Sequence, residues 1–501
     1  MKPQWNAAPT RAGATATVLI ACAVTVGTLC SCGGNSPSMN MTTTAMGTVS
    51  VTLSDPPSCM PPNGQFTHVY ITVRSVQANI DANANDSSSG WQELAPQLAN
   101  APMQIDLFSK PETTCVLAQL GSASLPVGKY QQIRLLLVSN SPGMNDAVPS
   151  NNACGENGYN CVVLADGTAH ELLLSSEANT GLKIPPGQIV GGPVDVTAGQ
   201  SVDLNIDFNA CASIVHEGNG SFRLKPTLTA GQVGANNTGI GGQVVDSVSK
   251  QPINGSVQVA IEQPDQTGVD RIIMQTVADS NGNFRFCPLP TGSFDIVVVG
   301  IGPANLPYNA TAVLSVPNDT NLGAIPLVAE TGATAPAVLQ GIVTATNGTS
   351  PATIDVGLSA LQTIQAGNNA SLQITIPLQA IPATNMTSQV DSTAVISVSG
   401  NTNCPATGAA TNANCASYTL VVPASNPSVG IFSTSGFTYS TPMNSNVQFT
   451  VDAQAAQPNS GGVTDCTPPE KMTSKNSTGG ALSVMPGTTS SVAEIDFSGC
   501  M

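Results

Sequence analysis

Apolar and polar residues alternate along most of this chain with a period of two. Val49, Val51 and Leu53 are separated by Ser50 and Thr52, and Val69, Ile71 and Val73 by Tyr70 and Thr72. Val202, Leu204, Ile206 and Phe208 flank Asp203, Asn205 and Asp207. The same rhythm returns at Leu372, Ile374 and Ile376, and at Val447, Phe449 and Val451. Period two with β-branched residues predicts strands that bury one face. Gly and Pro punctuate the runs, as in Leu125-Pro126-Val127-Gly128. No long amphipathic helix is predicted; residues 171–180 are left as a short helical turn. The fold class expected is all-β, with tandem β-sandwich domains. Composition shifts place these in three blocks, 47–231, 240–330 and 337–501. The linker GQVGANNTG (231–239) separates the first two.

The start of the chain breaks the pattern. Lys2 and Arg11 precede an uncharged apolar run, Ala14 to Leu29, and then Leu29-Cys30-Ser31-Cys32-Gly33. The run is about 16 residues, short of the roughly 20 that span a bilayer, and its flanks are those of an export signal. Leu29 three places before Cys32, with Ser31 between, resembles the lipobox of bacterial lipoproteins. The resemblance implies a signal peptide over 1–31 and acylation of Cys32 as the lipid anchor. Cys30 is a rival without a large aliphatic residue three places before it. Gly33, where an Asp would favour retention at the inner membrane, implies an outer-membrane location in the cell envelope. Residues 32–46 then read as a polar tether.

The first block carries GTVSVTLSDPP (47–57), HVYITVRSVQ (68–77), GWQEL (90–94), IDLF (105–108), LPVGKYQQIRLLL (125–137), DGTAHEL (166–172), TGLKI (180–184), DLNIDF (203–208) and RLKPTL (223–228). In order and spacing these resemble the bacterial family called domain of unknown function 4382. The resemblance implies an exported protein and supplies no chemistry. Residues 144–162 are an insert relative to that pattern. The second block, with Pro252, Gly282, Phe284 and Gly292 at turn and strand positions, resembles the carboxypeptidase regulatory-like domain. That implies a small Greek-key sandwich of a carbohydrate-binding-like fold group, an analogy of fold and not of site. The third block resembles no family securely.

Charge changes the picture of the surface and of partners. Only 9% of the 501 residues are charged, and the formal net charge is −16. Loss of residues 1–31 removes two cations and no acid, so the mature body is more acidic still. With no basic block, nucleic acid is excluded as a partner, and membrane contact is expected through the lipid alone. Ten cysteines remain after Cys32: Cys59, Cys115, Cys154, Cys161, Cys211, Cys287, Cys404, Cys415, Cys466 and Cys500. An even number in an oxidising compartment reads as disulfides. Zinc is disfavoured because no CxxC occurs in the mature chain. Connectivity is open; local closure favours Cys154–Cys161 and Cys404–Cys415. Cys466–Cys500 fits a shared domain, which leaves Cys59–Cys115 and Cys211–Cys287.

Candidate chemistry is sparse. Asp279, Asn281 and Asn283 have the spacing of a calcium loop, but Phe284 stands where an EF-hand needs Gly, so a hairpin turn is expected. Asp81, Asn83, Asn85 and Asp86 form a looser acidic loop. Asp203, Asn205 and Asp207 share one strand face and are expected to be solvated. His68, His170 and His216 are far apart in sequence. No GxSxG, phosphate-cradling loop or HExxH is present, and no metal or cofactor is expected. Trp91 is read as a core anchor, with an aromatic platform of Trp91, Tyr70 and Tyr130 as the alternative. The expected function is a non-catalytic envelope lipoprotein that binds glycan. The alternatives are a structural or adhesive component of a surface protein assembly, or an accessory subunit of an exported hydrolase or peptidase.

Overall fold

The backbone of the first block is organised around one strand, Met46–Ser54. It runs parallel to Ser201–Phe208 and antiparallel to Ala118–Pro126, in a sheet completed by Leu228–Val233 and Ile189–Val190. A second sheet is built on the long strand Phe66–Asn79, which pairs with Gln132–Leu137 and Cys161–Leu164. Val49, Val51 and Leu53 from one sheet and Val69, Ile71 and Val73 from the other all reach a common core. This is the outcome that the period-two pattern dictates, since alternate side chains point to one face. The structure is a computed structural model. It describes residues 45–55, 65–109, 118–174, 180–217, 219–225, 227–233, 239–290, 292–330, 332–366, 371–381, 390–400, 413–432, 437–440, 447–456 and 466–500. The expected signal peptide, Cys32 and residues 32–44 of the expected tether lie outside the described residues, as do Cys59, Cys115 and Cys404; Met46, placed in the tether from sequence, opens a strand.

The second block has a three-stranded sheet, Asn283–Phe286, Ile240–Asp246 and Asn321–Leu327, facing strands Ser256–Pro264, Val269–Val277, Ser293–Ile301 and Pro307–Pro317. These four belong to a larger sheet of ten strands that does not stop at the block boundary. Val269–Val277 runs parallel to Ser371–Ile376, which leads on to Ile354–Gln365, Thr450–Ala456 and Glu470–Thr473. At the other side Pro307–Pro317 runs parallel to Ser428–Ile431. The second and third blocks therefore share one sheet.

The strand Ser293–Ile301 shows why. Ile296 and Val298 enter the core of the second block, whereas Val297 and Val299 enter the core of the third. A strand buried on both faces needs the unbroken apolar run Ile296-Val297-Val298-Val299, which is what this chain supplies. Residues Thr44–Met501 cluster as one compact unit by their contacts. Helix is confined to single turns among the described residues; Ala210–Ser213 is capped by the Asn209 side chain, which accepts from the Ala212 N–H. The helical turn expected over 171–180 is not formed where it can be seen, because Ala169–Leu173 is a strand.

Two disulfides join cysteines close in the fold, Cys154 to Cys161 and Cys466 to Cys500. Cys211, Cys287 and Cys415 are also disulfide-bonded.

Candidate functional site

Strands from all three blocks line a cavity of about 690 Å³. That lies within the roughly 300–1,000 Å³ occupied by small-molecule sites. The first block contributes Gln188, Asn209, Lys225 and Thr227; the second Gln263, Asp265, Arg271 and Gln275; the third Gly357, Ser359, Gln379, Ser392 and Gln454. Apolar residues such as Ile189, Leu228, Ile272, Ile273, Ile376 and Leu378 make up the rest of the wall.

Two arginines, Arg223 buried and Arg271 half-buried, clamp the blocks together. Arg223, on the short strand Phe222–Leu224, makes a bidentate pair with Asp355, at 2.8 and 2.6 Å, and donates from Nε to Glu217 at 2.7 Å. The planar fork suits a carboxylate held at two points. Burial opposes the charge on Arg223, but the hydrogen bonds and field of Asp355 and Glu217 outweigh it and raise its pKa. Arg271 bridges the second and third blocks: it donates to Asp265 at 2.9 Å, to Glu470 at 2.5 Å and to Asp452. Asp452 is 1% exposed as a side chain, and burial raises its pKa against the pull of Arg271. Asp265 is held down at about 2: burial acts upward, and hydrogen bonds from Thr267 and Arg271 overcome it.

Lys225 differs from both arginines. Its ammonium lies over Gly357, where an added Cβ would come within 3.3 Å of Nζ. Among the described residues no carboxylate forms an ion pair with it. Burial lowers its pKa to about 8, with Asp355 pulling upward and Arg223 downward. Gln379, another lining residue, is 2% exposed and its Nε2 has no hydrogen-bond partner. The Gln379 backbone carbonyl accepts from Ser392 Oγ at 2.6 Å, which fixes the local backbone.

The residues singled out from sequence fall elsewhere. Asn205 and Asp207 are 4% exposed, not solvated. Met274, Pro288, Leu289 and Pro290 of the second block cover that end of the sheet and leave a cavity of only about 20 Å³, room for about one water. A chain of hydrogen bonds satisfies the stripe: Thr52 Oγ1 donates to Asn205, Asn205 Nδ2 to Ser54 Oγ, and Ser54 Oγ to Asp207. Burial pushes the Asp207 carboxyl up to about 7.

Asp279 caps a hairpin turn by accepting from the Asn281 and Asn283 N–H groups. In the acidic loop, Asp81 accepts from the Asn83 N–H and Asp86 pairs with Lys183 at 2.6 Å. Among the described residues no group of three metal-ligating side chains converges. Trp91 is half-buried and not a core anchor. Its Nε1 donates to the Asn85 carbonyl, and the Arg134 guanidinium sits 4.0 Å over its ring.

The aromatic platform is not assembled either. Gln92 is opposite Ala78, eight residues along the same strand from Tyr70, a separation of roughly 26 Å. Tyr130 is buried, with its hydroxyl on the Pro126 carbonyl. His68 pairs with Asp106 at 2.7 Å, while His170 and His216 both pack on Phe222.

Lys225, Arg223, Arg271, Asp355, Asp452 and Gln379 were missed by sequence reasoning. One signal could have found the cations. In a chain this poor in charge, Phe222-Arg223-Leu224-Lys225 and Asp270-Arg271-Ile272 put cations beside apolar strand residues, where an unpaired charge is costly.

Among solved structures, the shaft pilin SpaA from Lactobacillus rhamnosus GG aligns at 9% identity and a TM-score of 0.17, over 57% of this chain and 98% of its own. A streptococcal ancillary pilin aligns at 10% identity and a TM-score of 0.15, over 79% of this chain and 95% of its own. A leucine-rich repeat protein from Bacteroides thetaiotaomicron aligns at 9% and 0.14, over 56% and 26%. Likeness at these scores carries no conclusion about fold or function. No curated protein matches the sequence. Residues 46–226 match the family model described as Domain of unknown function (DUF4382), the stretch in which the strand motifs of the first block stand.

Proposed function

We propose that this chain is a non-catalytic binding protein of the bacterial cell envelope, anchored through Cys32, with a glycan held in the cavity between its blocks. The observation that carries the reading is the cavity itself: a volume of small-molecule size, with Gln, Asn, Ser and Thr side chains from three blocks set among apolar residues such as Ile189, Ile272, Ile376 and Leu378. Sugar hydroxyls match such a lining, since each is both donor and acceptor. The charged groups around it support a holding role over a catalytic one. Arg223 and Arg271 are engaged with carboxylates, and no nucleophile is paired with a base there among the described residues. The test is a glycan array probed with the full mature chain. Retention of a defined set of saccharides, lost on filling the cavity with Gly357→Leu, supports the reading; silence across the array contradicts it. The anchor is tested separately by mass spectrometry of the mature N-terminus, which should carry acyl chains on Cys32.

A structural or adhesive role in a surface assembly is the second reading. It is favoured by the Arg223–Asp355 and Arg271–Asp452 clamps, which tie segments 132 and 181 residues apart in sequence.

A further inference from the structure

We infer that the joint at which the second and third blocks share their sheet is a proton-operated latch on the cavity wall. It is closed while Glu262, Asp270 and Asp295 hold protons between them, and it loosens when they ionise. The inference concerns the wall and not its occupant, so it stands apart from the glycan reading above.

The joint is narrow. Strand Val269–Val277 meets Ser371–Ile376 through two pairs, Val269 with Gln373 and Asp270 with Ile374. Thr375 adds two bonds: its N–H donates to Glu262 Oε2 at 3.1 Å, and its Oγ1 donates to the Asp270 carbonyl at 2.6 Å. Arg271 on one side of the joint and Thr375 on the other line the cavity, so a loosened joint opens that wall. Three carboxyl groups gather there. Glu262 stands opposite Asp295 across one ladder and opposite Ile272 across the other; Asp270, two places from Ile272, shares their face. Val297 and Val299, on the same face of their strand as Asp295, enter the core of the third block. The trio therefore stands at the seam between the blocks.

Glu262 is 0% and Asp270 1% exposed, and neither Glu262 Oε1 nor either Asp270 carboxyl oxygen meets a donor. The Asp270 side chain reaches that of Asp295. Two carboxylates only accept, so this contact is a hydrogen bond only when one of them carries a proton. Burial first, and then the Asp295 carboxyl, holds the Asp270 pKa well above the usual carboxylate range. Burial raises that of Glu262 against the pull of the Thr375 N–H, and the charges of Asp270 and Asp295 add to the rise. The packed elements do not offset these acids. Ser371–Ile376 carries no charged residue. Among the described residues the other charged groups at the joint are Asp265, Arg271, Asp452 and Glu470, and the single cation Arg271 is already divided among those three acids. Ionisation of the trio sets like charges side by side in a dry seam held by two pairs, and water must enter to solvate them. The closed joint thus binds protons that the loosened joint releases, so closure is favoured at low pH and lost as pH rises above neutrality.

The test is hydrogen–deuterium exchange of the full mature chain at pH 6 and pH 9, with rates corrected for the intrinsic effect of pH. Peptides over 265–275 and 371–379 are expected to lose roughly tenfold or more in protection between the two, the effect of one group taken about a pH unit beyond its raised pKa. The buried strand Gln132–Leu137, in the first block, should keep its protection. Asp270→Asn, which cannot ionise, should hold both peptides closed at pH 9, and Glu262→Gln should lessen the loss. Unchanged protection of the two peptides at pH 9 would overturn the inference. So would an equal loss in Gln132–Leu137, which marks global unfolding, or an undiminished loss in a folded Asp270→Asn chain. Should Asp270→Asn fail to fold, the wild-type profile and Glu262→Gln still decide the matter.

Discussion

Replacing Arg223 by Met removes the cation that holds Asp355, the residue joining the first block to the third. The Asp355 side chain is 2% exposed and accepts both guanidinium bonds, so the substitution leaves a buried carboxylate with neither counter-charge nor donors. Breaking a buried pair from one side costs roughly 3–5 kcal/mol. Glu217, a quarter exposed, adds little, because solvent screens it. Among the described residues Lys225 is the cation in position to compensate, since it feels the Asp355 charge. Burial is the main cause of its lowered pKa, and loss of Arg223 removes the smaller repulsive part, which brings the cost toward the lower end of that range. The assay is urea denaturation followed by circular dichroism. Arg223→Met should lose about 3 kcal/mol, whereas the neutral pair Arg223→Met with Asp355→Leu should recover most of it, since packed apolar replacements of buried pairs are often neutral. A loss under about 1 kcal/mol for the single variant, the range of an exposed pair, would refute the clamp.

Other expectations follow from the same structure. Asp207, at about 7, together with Asp55 and Glu262, keeps protons in the folded state that the unfolded chain releases near pH 4. The contribution of Asp207 is complete below that pH and is lost as pH rises through 7, and burial gives Asp55 and Glu262 the same sign. Asp207 tilts stability by about 1.4 kcal/mol per pH unit in this window, so the denaturation midpoint should be higher at pH 5 than at pH 8. Below pH 4 the low pKa of Asp265 reverses the sign, since its pairing is lost as pH falls toward 2. Removing the Cys466–Cys500 bridge, which closes a 34-residue separation, should cost about 3.8 kcal/mol by loop entropy, against about 2.4 for the seven-residue Cys154–Cys161; denaturation of the paired Ser variants checks the order. Gly282→Ala should destabilise the hairpin by more than 1 kcal/mol or so, because φ is +75° and the new Cβ would meet the Val244 carbonyl oxygen at 2.3 Å; thermal melting reads it.

The strands were legible because their cores obey period two. Val49, Val51, Leu53, Val69, Ile71 and Val73 are buried as the alternation requires. What joins the blocks was not legible, for a physical reason. Asn205 and Asp207 look in sequence like a solvated stripe, and a polar side chain satisfied by Ser54 and covered by Pro290 has the same spelling as one satisfied by water. The run Ile296-Val297-Val298-Val299 did hold the evidence for a sheet buried on both faces, but it does not name the partner. Trp91 illustrates the opposite error. Its apolar mass suggested a core position, while its indole N–H and the cation over its ring are satisfied at the edge of the block. The cavity was beyond reach because its lining comes from segments separated by more than 200 residues, such as Asn209 and Gln454.

The account stands on three blocks closing on one another instead of hanging in series, since the cavity exists only if they do. Small-angle X-ray scattering of the chain from Thr44 onward measures this directly. One body of that length should give a radius of gyration of about 23 Å and a single-peaked distance distribution. A much larger radius with a multi-peaked distribution, the profile of beads on a string, would contradict the account.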